Sequence, residues 1–270
     1  MDLKYEPYWS SYLKQFAEDK IPSSFFQDIK GPGETDKFCV IVETREHPLL
    51  HLVCRNFMAL LKSKGWGLIV FHGTENEKYL REGLRDWKKV MLFQLGIPQL
   101  GIPQHGFNGY SDLLRGEKFW RSLQSTGCRH ALIFQTDCIL RKDNVDEYLP
   151  YDYVGAPWST QPNRKFLNIC EIGNGGLSLR NVNTMIEIIQ KYSDDPSFPD
   201  KLIPGYAEDI WFSYWLKTKG YKLPSLEKAK EFAVETVWSP DPIGVHRPYV
   251  NEFNSHWDFV HLTTKEYTFS

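Results

Sequence analysis

The stretch FCVIVETREHPLLHLVCRNFMALLKSKGWGLIVF, residues 38–71, decides the fold. It opens on Phe38 to Val42, a short apolar run of the kind a strand buried on both faces requires. Leu49, Leu52, Val53, Phe57, Leu60 and Leu61 then recur at helical spacing between Pro48 and Lys64. Pro48 suits the first turn of that helix and Gly65 its C-terminal cap. Gly67 to Phe71 is a second apolar run. Strand, helix and strand in this order predict parallel strands joined by a crossover helix.

Reading outward extends the pattern. Thr74 is placed to cap a helix over Glu75 to Asp86, and Val90 to Leu95 is a third strand. The pentad LGIPQ then occurs twice in tandem over 95–104. Two copies are too few for a solenoid, and their prolines and glycines predict a loop, a candidate cover for the active site. Ser111 caps a helix running to about Gln124, and Ala131 to Phe134 is a fourth strand. The fold class is therefore α/β: a Rossmann-type, mostly parallel sheet flanked by helices, in one compact domain with two sub-regions. Ligands of such sheets bind beyond the carboxyl ends of the strands. That rule selects Glu43-Thr44-Arg45, His72-Gly73 and Gln135-Thr136-Asp137.

The second half is less regular. Tyr151 to Val154 and Gly176 to Leu179 read as strands. Asn181 or Asn183 caps a helix to about Tyr192, and Pro196, Pro199 and Pro204 mark a loop. Ala207 to Thr218 is an aromatic helix opening on Glu208-Asp209. Upstream of the fold, Tyr8, Trp9, Tyr12, Leu13 and Phe16 share one helical face before Gly31-Pro32-Gly33 breaks the chain. Residues 1–36 thus read as an N-terminal extension packed on the domain, 37–155 as one half and 156–270 as the other.

Composition removes several classes. With 41% apolar and 15% aromatic residues the chain can bury a sizeable core, which excludes an extended disordered protein. A net charge of −2 with no basic run argues against general nucleic-acid binding. The apolar runs are strand-sized, so no membrane span is expected, and residues 1–20 lack a signal-peptide core. Cys39, Cys54, Cys128, Cys138 and Cys170 are odd in number and contain no CxxC pair, so buried thiols are expected rather than zinc or disulfides. Reduced cysteines without an Asn-X-Ser/Thr sequon fit the cytoplasm.

Five places could carry chemistry, each with two readings. Asp137 follows an apolar strand and is either a turn aspartate or a ligand for Mg²⁺ or Mn²⁺. Gly173-Asn174-Gly175-Gly176 is either a tight turn before a strand or a place where backbone approaches a ligand. Glu208-Asp209 either complements a helix dipole or supplies a general base. His246, in Gly244-Val245-His246-Arg247-Pro248, is either structural or a metal ligand presented by a loop. Trp158, after Gly155-Ala156-Pro157, either stacks on a sugar or plugs the core.

Taken together, the order resembles the GT-A glycosyltransferases, and more closely a little-characterised GT-A-like family found in microbes and large DNA viruses. The resemblance spans roughly 38–250 and rests on Phe134-Gln135-Thr136-Asp137, Tyr151 to Trp158, Gly173 to Arg180, Glu208-Asp209 and Gly244-Val245-His246. It implies a GT-A-like fold with a nucleotide-sugar-binding half over 37–155 and an acceptor-binding, catalytic half over 156–270. It further implies an inverting, metal-dependent transferase using Mn²⁺ or Mg²⁺ and a UDP-sugar donor. Asp137 and His246 would hold the metal. Gln135 stands where the family's Asp-X-Asp motif has its first Asp, and as a neutral amide can still bond ribose. Asp209 would be the catalytic base, with Glu208 beside it for the acceptor. Thr44, Arg45, His72, Gln135, Thr136, Asn174, Gly175 and Gly176 would bind the donor. Trp158 and Tyr206 would offer faces to a glycan acceptor, with Trp211 reading more as core. The viral members, of the chlorovirus type, build unusual capsid glycans, which points to xylose or another small neutral sugar. A sugar-binding module without catalysis, a metal-dependent phosphohydrolase and a nucleotidyltransferase are the rival readings.

Overall fold

The computed structural model describes Leu13 and residues 21–96, 106–158, 171–199 and 207–247. Four parallel strands form one side of the main sheet: β1 (Lys37–Glu43), β2 (Gly67–His72), β3 (Met91–Gln94) and β4 (His130–Phe134). After the short β5 (Cys138–Leu140), the strands β6 (Tyr153–Pro157) and β7 (Ile172–Asn181) complete the sheet in the order β3-β2-β1-β4-β7-β6. β7 runs antiparallel to both β4 and β6. A second sheet, β5-β9-β8, joins β5 to β8 (Ala233–Val234) and β9 (Gly244–His246).

Strand alternation assigns each side chain to a layer. Cys39, Ile41, Leu68, Val70, Leu132 and Phe134 point to one face, where α1 (Leu50–Leu61) covers them. Phe38, Val40, Ile69, Phe71, Ala131 and Ile133 point to the other. That face is covered by α3 (Gly106–Arg115), α4 (Glu117–Ser125), α5 (Val182–Tyr192) and α6 (Glu208–Thr218), following the short α2 (Glu77–Gly83). The last helix, α7 (Leu226–Phe232), leads into β8. The result is helix, sheet, helix, the architecture the repeated strand–helix pattern predicts. Leu13, Ile21, Phe26 and Ile29 are buried in the α1-side core, with Phe26 stacked on Trp87 at 4.2 Å between ring centroids. Tyr8, Trp9, Tyr12 and Phe16 lie outside the described residues.

Several local expectations are corrected. Pro48 precedes α1, which starts at Leu50; Gly65 does end the following turn, in the left-handed conformation at φ 80°. Thr74 does not cap α2. Asn76 occupies that position and turns its amide elsewhere: Oδ1 accepts from Gly73 N, and Nδ2 donates to the carbonyls of Glu43 and Arg45. It thereby ties the ends of β1 and β2 together. Ser111 is buried within α3, and Gly116, with extended backbone, divides the predicted single helix into α3 and α4. The strand predicted at Gly176 to Leu179 is ten residues long and includes all of Gly173 to Gly176, so that segment is strand and not a turn before one. Asn181 caps α5, accepting from the backbone N–H groups of Asn183 and Thr184. Of the tandem pentads only Leu95 and Gly96 are described.

No helix among the described residues is long and apolar enough to cross a membrane. Cys39, Cys54, Cys128 and Cys138 are buried free thiols. Burial pushes their pKa values up, as expected for small apolar residues.

Candidate active site

The site begins at the end of β4. Phe134 is its last residue, Gln135-Thr136-Asp137 form the turn, and β5 starts immediately at Cys138. β9 pairs with β5 so that His246 lies opposite Cys138. This register brings His246 Nε2 to 3.6 Å from Asp137 Oδ1 and 3.2 Å from Gln135 Oε1. Two oxygens and a nitrogen thus converge from three side chains. Cys138 lies in the same cluster, but its thiol donates to the Gly176 carbonyl at 3.0 Å. An oxygen-rich set with one imidazole suits Mn²⁺ or Mg²⁺ better than a soft thiophilic ion. The residues therefore fit the divalent cation that the sequence leads one to expect.

Burial alone would favour neutral His246. The carboxylates of Asp137 and Glu235 outweigh it and lift the imidazole pKa to about 9. The side of the ring facing away from Asp137 is fully engaged. Nδ1 lies 2.9 Å from Asn174 Oδ1 and 3.5 Å from Glu235 Oε1.

β7 supplies the platform. A β-carbon on Gly176 would lie 2.1 Å from His246 Cε1 and Nε2, so the ring occupies space only a glycine leaves. One residue earlier, Gly175 N donates to Asp209 Oδ2 at 3.0 Å, and a β-carbon there would meet Glu208, Arg180 and Asp209. The glycines of this segment make room for side chains of the site.

Asp209 lies in the first turn of α6, where its Oδ1 also accepts from Ile210 N at 2.8 Å. Desolvation by burial and the adjacent Glu208 carboxylate raise its pKa to about 7, against the pull of the Gly175 N–H and Arg180. A carboxylate in that range is matched to proton abstraction near neutrality.

Glu208 is bound within the protein. Its oxygens are both taken by Arg180: Nη1 donates to Oε2 at 2.6 Å and Nη2 to Oε1 at 2.9 Å. Both side chains are buried, and the guanidinium also donates to Ser178 Oγ and the Gly175 carbonyl. Glu208 therefore anchors the start of α6 to β7, with both of its oxygens engaged by Arg180. Asn174 is likewise bound internally. Its Nδ2 donates to Glu235 Oε2 at 2.7 Å, and its Oδ1 faces His246 and Gly176 N, so its amide is directed inward.

The remaining candidates separate. Arg45 follows β1 and is exposed, with its guanidinium paired to Glu43. Asp137 is close enough to help hold its charge. Thr44 lies against Gly73, and Thr136 is buried in the β4 turn. His72 is buried as well, donating from Nδ1 to the Gly73 carbonyl at 2.8 Å, and so lies beneath the strand ends. Trp158 is buried beside Gly173, and Trp211 belongs to the core as read. Tyr206 lies outside the described residues. Arg180 and Glu235 were missed in the sequence. Arg180 carried a signal, since it ends the Gly173 to Arg180 segment; Glu235 carried none.

Comparison with known proteins identifies the fold. The six-stranded sheet has the GT-A type of fold. Residues 102–246 match the family described as "Protein of unknown function (DUF5672)", and the chain belongs to that family. Galactosyltransferase LgtC, solved with donor and acceptor sugar analogs, is 12% identical. The match covers 85% of this chain and 97% of that one, with a TM-score of 0.51. Mouse xyloside xylosyltransferase 1 is 10% identical over 78% of this chain and 97% of its own, with a TM-score of 0.49. Core-mannan synthase A from Aspergillus fumigatus, in a Mn/GDP form, is 9% identical over 72% of each chain, with a TM-score of 0.47. No curated protein matches the sequence.

Proposed function

We propose that the protein is an inverting, cation-dependent glycosyltransferase that moves a sugar from a nucleotide-sugar, with UDP as the nucleotide, to a glycan hydroxyl. One observation carries this reading. Asp209 is held on Gly175, and His246 on Gly176, so a general base and a cation ligand are mounted on consecutive residues of one strand. The GT-A fold shared with LgtC, which was solved with donor and acceptor sugar analogs, supports it.

In this mechanism Asp137 and His246 would hold Mn²⁺ or Mg²⁺, with Gln135 Oε1 beside them. When bound, the cation neutralises charge on the departing diphosphate. Arg45 and Thr44 flank the donor at the end of β1, and Gln135 and Thr136 do so at the end of β4. Asp209 accepts the proton of the acceptor hydroxyl as that oxygen bonds to the anomeric carbon. The bond from the anomeric carbon to the diphosphate breaks on the opposite face, and the nucleoside diphosphate leaves. Arg180 and Glu208 keep the start of α6 on β7, so Asp209 does not drift from the reacting oxygen.

For the sugar we propose xylose or another small neutral residue, following the resemblance to viral capsid-glycan enzymes. Trp158 and Tyr206 are proposed to border the acceptor. The buried free thiols support a reducing compartment such as the cytoplasm.

The test is a donor screen. The protein is mixed with a panel of UDP- and GDP-sugars and Mn²⁺, and nucleotide release and binding heat are measured with and without EDTA. The expected result is slow release of UDP from one donor, lost with EDTA and in Asp137→Ala. Absence of binding to every nucleotide-sugar overturns the donor site. Release of a sugar 1-phosphate in place of the nucleoside diphosphate identifies a nucleotidyltransferase instead.

A further inference from the structure

Two buried polar residues behind His246 have no part in the reading above, Asn174 and Glu235. They are 61 positions apart in sequence, yet Asn174 Nδ2 donates to Glu235 Oε2 at 2.7 Å. That bond fixes which end of the amide is nitrogen. Gly176 N, 3.2 Å from Asn174 Oδ1, fixes it a second time, because a backbone N–H needs an acceptor. Asn174 Oδ1 must therefore face His246 Nδ1, 2.9 Å away, as an acceptor, and Nδ1 must carry a hydrogen. Glu235 Oε1 approaches the same nitrogen at 3.5 Å. The nitrogen left for a cation, which would take the place of its proton, is then Nε2, the one facing Asp137 and Gln135.

We propose that Asn174 and Glu235 are positioning residues for His246: Glu235 orients the Asn174 amide, and the amide sets the imidazole tautomer and ring angle that present Nε2 to a divalent cation. The proposal rests on the reading of Asp137 and His246 as cation ligands. Both residues are buried, at 5% exposure each, so water does not readily replace either partner. Partners of this kind behind a metal-binding histidine typically change metal affinity by about 10- to 100-fold when removed. The pair also explains a polar contact that packing alone would not select. An amide and a carboxylate buried together are costly unless every donor and acceptor is matched.

The experiment reads the imidazole directly and the cation separately. In protein carrying ¹⁵N-labelled histidine, the His246 Nδ1–H is expected as a slowly exchanging, hydrogen-bonded signal. It should be lost in Asn174→Leu, which keeps volume and removes both amide functions. It should persist in Glu235→Gln, whose side-chain oxygen still accepts from Asn174 Nδ2. Mn²⁺ titration followed by electron paramagnetic resonance, without donor or acceptor, is expected to show about 10- to 100-fold weaker binding for Asn174→Leu. Glu235→Leu should follow Asn174→Leu, and Glu235→Gln should stay close to the unmodified protein. A retained Nδ1–H signal, or unchanged Mn²⁺ affinity, in folded Asn174→Leu and Glu235→Leu overturns the proposal. If the unmodified protein binds no Mn²⁺ while its Nδ1–H signal depends on Asn174, the cation reading fails and the hydrogen-bond relay stands.

Discussion

The ring of His246 occupies the volume where a β-carbon of residue 176 would be, so Gly176 and His246 are one structural unit. Gly176→Ala forces the ring away from Asp137 without touching either side chain. The sheet should remain, because Leu177 and Leu179 still pair with β4 and fill the core. Mn²⁺ binding measured by calorimetry should weaken at least about tenfold, and overpacking should cost about 1–3 kcal/mol in chemical denaturation.

Asp209→Asn tests the base. Donor binding should persist, while turnover should fall by about 10²- to 10⁴-fold, read as nucleotide release in the presence of acceptor. With Asp209 intact, activity should decline tenfold per pH unit below about 7, where the carboxyl takes up its proton.

The same group has a stability signature of definite sign. Its pKa in the fold is about 7 against an ordinary value of 3.8, so the folded state favours the protonated form. This contribution is most favourable below about pH 4 and is lost as pH rises towards 7. Asp209→Asn removes the penalty. Its melting temperature should therefore exceed that of the unmodified protein by a margin that widens between pH 4 and 7 and is constant above.

The Arg180–Glu208 pair is fully buried and bidentate. Removing one partner leaves an uncompensated charge and should cost about 3–5 kcal/mol. Arg180→Met and Glu208→Leu should each lower the denaturation midpoint sharply. The double variant Arg180→Met/Glu208→Leu should be less destabilised than the sum of the two. Additive losses would show that the pair is not coupled.

Cation binding should raise thermal stability. At one hundred times its dissociation constant, Mn²⁺ should add about 2.7 kcal/mol, and Asp137→Ala should abolish the increment. A melt that ignores Mn²⁺ would remove Asp137 and His246 from the role given them here.

Much of this was legible along the chain, for physical reasons. Phe38 to Ile41 and Ala131 to Phe134 are buried on both sides, and such strands are written as unbroken apolar runs. Asp137 and Asp209 could be singled out as candidates because strand ends and helix starts are identifiable positions. β7 was read too short because glycine is a poor strand former, and here it is retained to admit His246, Asp209 and Glu208. The internal partners of Glu208 and Asn174 were not legible, for another reason. Each lies far away in sequence, Arg180 at 28 positions and Glu235 at 61. No local spacing encodes such a pairing. His72 shows the limit of the strand-end rule, which locates a residue but does not say which way it turns.

The small β5-β9-β8 sheet gives the site a distinctive folding history. Gln135 and His246 meet only when a segment of 111 positions closes on itself, at an entropic cost on the order of 4 kcal/mol. Pairing of β9 with β5 spans 108 positions, against 93 for β1 with β4, so it is expected among the last contacts to form. A cation bridging the two ends would act mainly as a brake on unfolding, leaving the rate of folding almost unchanged.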